Sequence, residues 1–352
     1  MGSQSTGALW RGFASDNYAG VHPEVLEALG AVNVGHQSAY GGDVVTDQAR
    51  SLVRERFGAD AEFFPVFNGT GANVVALQSV NQRWQSVICA ASAHIHVDEG
   101  GAPESVAGLK LWTVPTADGK LRPDDVQGQC FDMEFVHRAQ PGAVSITQSS
   151  EMGTVYSPDE VSALAEVAHA NNLALHMDGA RLVHASIASG ISMRDFAAQC
   201  DSVWIDLSKG LGCPVGSVLA GSQDFIDDVW VWKHRLGGAM RQSGVLAAAG
   251  LYALDHHIDR LAKDHANAKF LANAIEEMPG LRLDPGPVET NLVFFDVSES
   301  GKTAPEITSK LLESGIRMGA TTEKRIRAVT HLDVSKDDVQ KAINALRHII
   351  QN

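Results

Sequence analysis

Cysteine is scarce in this chain of 352 residues. The four present, Cys89, Cys130, Cys200 and Cys213, lie far apart and form no Cys-x-x-Cys pair, which predicts reduced thiols rather than a disulfide framework. Basic residues are also in short supply. Lys and Arg total 28 against 42 Asp and Glu, a formal net charge of −14. That balance is wrong for a nucleic-acid coat or a binder of anionic membranes, although it leaves room for a local basic pocket. No apolar run approaches the length needed to span a bilayer. The start, Met1 to Trp10, has no basic stretch followed by an apolar block, so no signal peptide is expected and the cytoplasm is the expected compartment. Internal repeats and low-complexity segments are absent as well.

What remains is ordinary for a globular α/β protein: 44% hydrophobic and 20% charged residues, with 33 glycines. The length suggests two domains and is enough to bury a sizeable core without staples. Short apolar runs recur at 62–67, 86–90, 109–114, 143–148, 173–177, 202–207 and 216–220. Most lack alternation, as expected of strands covered on both faces. Helical stretches separate several of them. Residues 72–80 read as a helix, and Ser157-Pro-Asp-Glu160 is a capping box with Pro at the first helical position, leading into 161–171. The alternation predicts a mostly parallel seven-stranded sheet flanked by helices. After about residue 255 the texture changes. Residues 258–278 read as one long amphipathic helix, 291–297 and 325–330 as strands, and 335–351 as a helix with apolar residues at Val339, Ala342, Ile343, Leu346, Ile349 and Ile350. The expected organisation is an N-terminal segment (1–22), a large domain (23–255) and a small α+β C-terminal domain (256–352).

Several constellations are candidates for chemistry. Asp178-Gly-Ala-Arg181 directly follows a predicted strand, which puts a carboxylate where α/β sheets bind ligands; Asp-Gly is also a common turn pair. Lys209 follows another strand, flanked by small residues, 31 positions after Asp178. That separation is about one strand–helix–strand unit, so both residues are expected at one sheet edge. A partly desolvated Lys can form a Schiff base with a carbonyl cofactor, and an Asp can keep a pyridine nitrogen protonated, so the pair points to pyridoxal 5′-phosphate. Asn68-Gly-Thr-Gly-Ala-Asn73 joins a strand to a helix and reads as a phosphate-binding turn; Val74 stands where a dinucleotide fingerprint requires glycine. His94 and His96 would share one face of a strand, a spacing that metal sites use, and this supports a rival reading as a metal-dependent hydrolase. Arg241 lies in a Gly-rich turn before a helix at 245–254. Arg327 interrupts an apolar strand and reads as an internal salt bridge or as a clamp for a carboxylate ligand.

Taken together these motifs resemble the L-threonine aldolase family of pyridoxal phosphate enzymes, fold type I. The resemblance runs from about Phe13 to the C-terminal helix. It is carried by Ser15-Asp-Asn17, Tyr40-Gly-Gly-Asp43, Asn68 to Asn73, Ala93-His94, His176 to Arg181, Leu207 to Ser217, Gly238 to Gly244 and Val329 to Ser335. It implies Lys209 as the Schiff-base lysine, Asp178 at the pyridine nitrogen and Arg181 near the ring hydroxyl. Gly69, Thr70 and Arg241 would hold the phosphate, and His94 would stack on the ring. Arg327 with Ser15 would bind the substrate carboxylate, Arg181 standing close by. Tyr40 would approach the phosphate of a neighbouring subunit's cofactor in a homotetramer. The activity implied is cleavage of a β-hydroxy-α-amino acid to glycine and an aldehyde, with a transaminase or β-eliminating lyase as alternatives on the same fold.

The chain departs from the family pattern in two places. Asn17 stands where many members have Thr. The run Gln148-Ser-Ser-Glu-Met-Gly153 replaces an Asn-Thr-His-Asn run, with Glu151 at or near the His. This resembles the phenylserine aldolase branch. Glu151 would serve as the base for the β-hydroxyl proton if burial raised its pKa. Otherwise it would cap the turn before Gly153, with His94 or an ordered water taking the proton.

Overall fold

The computed structural model describes residues 10–58 and 61–352. These residues form two compact units, one comprising Val21–Asp259 and the other the N-terminal stretch to Gly20 together with Arg260–Asn352. The expected segment 1–22 falls in part on residues 1–9, outside the described residues. Its described portion begins with β1 (Arg11–Gly12) and clusters with the C-terminal unit.

The larger unit is built on β2 (Ala61–Val66), β3 (Ser86–Ala90), β4 (Lys110–Val114), β5 (Pro141–Thr147), β6 (Ala174–Gly179), β7 (Ser202–Asp206) and β8 (Ser217–Gly221). They form one seven-stranded sheet in the order β2-β8-β7-β6-β5-β3-β4. All residues of β3, β5 and β7 are buried, which is why these runs are apolar without alternation. Neighbours from β7 through β4 are parallel, whereas β8 is antiparallel to both β7 and β2. The exception has a simple cause. Only residues 207–216 join β7 to β8, too few for the helical crossover that a parallel return needs. Since β2 and β7 both run against β8, they point the same way. The C-terminal ends of β2, β3, β5, β6 and β7 therefore open on one edge of the sheet.

The capping box forms as expected: Ser157 Oγ accepts from the Glu160 amide, and Glu160 accepts from the Ser157 amide, at the start of helix Pro158–Ala170. The helix expected at 72–80 starts earlier, at Gly69, because Asn68 Oδ1 accepts from the Gly71 amide and caps it there. The long helix expected over 258–278 is shorter. Helix Ser243–His256 ends and helix Leu261–Glu276 begins across a turn. In that turn the His257 ring bonds the carbonyl of Leu211 at 2.6 Å, an anchor that no hydrophobic periodicity reveals.

The smaller unit adds β9 (Arg282–Leu283), β10 (Leu292–Asp296), β11 (Ile316–Arg317), β12 (Gly319–Ala320) and β13 (Arg325–Val329). The antiparallel order is β12-β13-β10-β9, while β1 pairs in parallel with β11. Helices Leu261–Glu276, Ala304–Glu313 and Lys336–Gln351 accompany the strands. Phe13, Leu271, Phe295, Ile326, Ile343 and Leu346 share its core, which explains the apolar spacing read along the last helix.

Candidate active site

The open edge of the large sheet collects most of the residues singled out in the sequence. Asp178, the last residue but one of β6, is buried; in register it faces Trp204 of β7. Its Oδ1 accepts from the Ala180 amide at 3.0 Å and its Oδ2 from Asn73 Nδ2 at 2.9 Å. Burial raises its pKa, and the nearby Lys209 ammonium opposes that rise. Lys209 lies in the turn after β7, its side chain 16% exposed and its Nζ 3.6 Å from buried Asp206. Asp206 is itself fixed by the amide and hydroxyl of Ser208, at 2.6 and 2.7 Å. The 31-residue spacing thus brings carboxylate and amine to one edge, through adjacent parallel strands.

The Gly-rich motif does more than make a turn. A side chain on Gly69 would come within 2.5 Å of the Trp204 ring, and one on Gly179 within 1.9 Å of the Trp204 carbonyl. Both glycines are required by packing against this tryptophan. Asn68 caps the helix through Gly71, which leaves the amides of Gly69 and Thr70 at its open end, a seat for an anion. Asn73, one turn later, is fully buried. Its Oδ1 accepts from Trp204 Nε1 at 2.7 Å and lies 3.0 Å from His176 Nε2; its Nδ2 donates to Asp178 and, at 2.8 Å, to Glu99.

His94 follows β3 but is not on a strand. It begins the short helix His94–Val97, so His94 and His96 do not share a face as expected, and His96 is exposed. The spacing that motivated a metal site is therefore not realised. The reason is local: Ala93 turns the chain so that the His96 and Val97 amides bond back to its carbonyl. Among the described residues no group of three or more His, Cys, Asp and Glu side chains has metal-binding geometry. His94 Nδ1 instead lies 2.9 Å from Glu99 Oε1, and this contact raises the His94 pKa.

Glu151 does not cap the turn before Gly153. That turn is closed by Ser150, whose hydroxyl accepts from the Met152 amide and whose carbonyl accepts from the Gly153 amide. Glu151 reaches instead to the first residue of helix His94–Val97 and to the last residue of β5. Its Oε1 accepts from the His94 amide at 2.8 Å and from Thr147 Oγ1 at 2.7 Å. Burial pushes its pKa up to about 7.

The remaining candidates are also located. Arg181 stands at the start of helix Leu182–Ser189, its amide bonded to the Gln148 carbonyl at 3.1 Å. Tyr40 is 51% exposed, and its amide bonds the carbonyl of exposed Arg241 at 3.1 Å, so those two are neighbours. In the smaller unit, Arg327 sits on β13 between Phe294 and Gly319, and its Nη2 donates to the Ala14 carbonyl at 2.9 Å. Ser15, the next residue, caps a 3₁₀ turn through the Asn17 amide at 3.1 Å. Sequence reasoning missed Asn73, Glu99 and Trp204 as site residues. Asn73 stood inside a quoted motif and Glu99 lies five residues after His94, but nothing in the spacing said that they meet.

The cofactor suggested by Lys209 and Asp178 fits this edge. Asp178, Glu99 and Glu151 place three carboxyl groups there, with the Lys209 ammonium acting on Asp178 and the His94 ring bonded to Glu99. A pyridinium nitrogen would add a positive charge beside Asp178, and a phosphate would meet the open helix end at Gly69.

A solved structure of Leishmania major threonine aldolase superposes with a TM-score of 0.86, covering 96% of this chain and 99% of that one at 24% identity. Fold and site together define the class as a fold type I pyridoxal phosphate enzyme. Residues 12–300 match the β-eliminating lyase family, and the chain belongs to that family. Its relatives include the low-specificity L-threonine aldolase of Pseudomonas aeruginosa, 38% identical over 82% of this chain and 84% of that protein. Another is low-specificity L-threonine aldolase 1 of Arabidopsis thaliana, 33% identical over 87% of each.

Proposed function

We propose that this protein cleaves L-threonine, L-allo-threonine or a related β-hydroxy-α-amino acid such as L-phenylserine to glycine and an aldehyde. The observation that carries the reading is the meeting of buried Asp178 with Lys209 at one sheet edge, in a chain whose relatives bear the threonine aldolase name. Lys209 would hold the cofactor's aldehyde carbon and Asp178 its ring nitrogen. Gly69, Thr70 and Arg241 would hold the phosphate, Arg181 would lie near the ring hydroxyl and His94 against the ring. Bound there, pyridoxal phosphate supplies an electron sink for the Cα–Cβ bond that breaks.

The chain's own groups do the rest. Asp178 presents a buried negative charge that favours a proton on the facing nitrogen. Arg327 with Ser15 is assigned the substrate carboxylate; a planar guanidinium suits such a fork. The β-hydroxyl must lose a proton before the aldehyde can leave, and we assign that proton to His94. Its side chain is 41% exposed, whereas Glu151 is enclosed and already engaged by two donors. For Glu151 we propose a holding role, fixing the His94 backbone from behind.

The same reading takes the enzyme to be a cytoplasmic homotetramer. Among the described residues no helix is long and apolar enough to cross a membrane. Exposed Tyr40 is the group proposed to approach a neighbouring subunit's phosphate. The reading is tested by incubating the cofactor-loaded protein with threonine, allo-threonine, serine and phenylserine and measuring released aldehyde. Release from at least one β-hydroxy amino acid is expected; none from any of them would refute the activity.

A further inference from the structure

Behind the ring of His94 lies a hydrogen-bonded chain whose donors and acceptors can be assigned by elimination. Trp204 Nε1 can only donate, so the atom of Asn73 it meets at 2.7 Å is the amide oxygen. Burial pushes the His176 pKa down to about 3, so that ring is neutral. Its Nε2–H then donates to the same oxygen at 3.0 Å, while its Nδ1 accepts from Ser202 Oγ at 2.7 Å. Both Asn73 amide hydrogens therefore point the other way, one to Asp178 Oδ2 and one to Glu99 Oε1. Every hydrogen-bonding position of Asn73 is used, and the amide cannot flip without setting its oxygen against two carboxylates.

Glu99 is the next link. Its side chain is fully buried, Oε1 meets both Asn73 Nδ2 and His94 Nδ1, and Oε2 has no hydrogen-bond partner among the described residues. A carboxylate only accepts, so the shared hydrogen sits on His94 Nδ1 and the lone pair is left on Nε2. Nε2 has no protein partner among the described residues.

We infer that Glu99 is a positioning residue of the active site, fixing His94 as the Nδ1–H tautomer with Nε2 as its proton-accepting atom and tying that ring through Asn73 to Asp178. The inference rests on the proposed reaction only in the use made of Nε2. The arrangement follows the logic of a carboxylate–imidazole pair, in which the carboxylate orients the ring and selects its tautomer without exchanging protons with the substrate. The charged groups around His94 are Glu99, Asp178 at the end of β6 and Lys209 after β7, with Glu151 at its backbone amide. Glu99 and Asp178 favour the imidazolium and Lys209 opposes it.

The test is ¹⁵N-histidine NMR of the cofactor-free protein, with kinetics of the loaded enzyme alongside. In the wild type, above the His94 midpoint, Nδ1 should carry the hydrogen and Nε2 should be bare. In Glu99→Gln the midpoint should fall by about one pH unit, because the raising carboxylate is lost, and the tautomers should mix. The kcat for aldehyde release should fall about 10- to 10³-fold with KM nearly unchanged, and the acid limb of its pH profile should move with the NMR midpoint. A wild-type His94 carrying its hydrogen on Nε2 would overturn the proposal, and this requires no variant to fold. An unmoved His94 titration in Glu99→Gln would overturn it too. If the NMR changes appear but the wild type releases no aldehyde, the tautomer assignment is supported and the aldolase reading fails.

Discussion

Glu151 is a carboxyl group that burial has moved from its ordinary 4.5 to about 7, which makes the protein's stability pH-dependent. The native state holds a proton there that the unfolded chain gives up at lower pH. Stability is thus lost as pH rises from about 4.5 to about 7, and the loss approaches about 3 kcal/mol above that range. Glu151→Gln keeps an acceptor for Thr147 and the His94 amide but cannot ionise. Its melting temperature relative to wild type should rise from about pH 5 and level off above about pH 7 in the cofactor-free protein. A difference that stays constant with pH would contradict the assignment. Its kcat should fall less than about tenfold, against the 10²- to 10⁴-fold expected for removal of a general base. Asp178 and Lys209 were singled out as a pair, by their residue types after apolar strands and by a 31-residue spacing, and the adjacent strands β6 and β7 do carry them to one edge. Glu99 and Asn73 were not legible in this way. Asn73 meets Glu99 and Asp178 across 26 and 105 positions, and no spacing rule joins them.

The helix Gly69–Val80 shows how an element can be placed by one side chain from elsewhere. Its first turn lies against Trp204, with no room for a methyl group at Gly69. Gly69→Ala should push the helix start or the indole aside and disturb Asn73, which Trp204 holds. An overpacking cost of about 1–3 kcal/mol is expected, read as a lowered melting midpoint, together with weaker pyridoxal phosphate binding in titrations. A variant as stable as wild type, with unchanged cofactor affinity, would show that the Trp204 contact is not what selects glycine. Elements with local signals were legible in the sequence. The Ser157–Glu160 box and the last helix's apolar stripe both formed where read. Elements defined by distant contacts were not. The helix read over 258–278 starts only at Leu261, after the turn that His257 anchors, and the antiparallel run of β8 follows from a short connection rather than from its residues.

At the scale of the whole molecule the chain divides its labour between two units. The larger one carries the residues proposed to hold the cofactor, at one sheet edge, and the smaller one carries Arg327 and Ser15, proposed for the substrate carboxylate and joined through the Ala14–Ser15 backbone. Arg327→Lys keeps the charge but loses the planar fork, so KM for the amino acid should rise about tenfold or more with a smaller change in kcat. Unchanged KM with every substrate would reject the clamp. The mostly parallel sheet was readable because strand–helix alternation recurs through the larger unit, and the motifs' resemblance to a family supplied the fold type; the joining of the N-terminal stretch to the C-terminal unit was not readable, because β1 is only two residues long.

The central claim, carbon–carbon cleavage at a site organised by Lys209, is tested most directly by product stoichiometry. Purified wild type and Lys209→Ala, both supplied with pyridoxal phosphate, are incubated with threonine and phenylserine, and glycine, aldehyde, ammonia and keto acid are quantified together. The account predicts equimolar glycine and aldehyde from the wild type, without ammonia or keto acid, and loss of all turnover in the variant. Ammonia or a keto acid as the main wild-type product, or aldehyde release by Lys209→Ala at the wild-type rate, would contradict it.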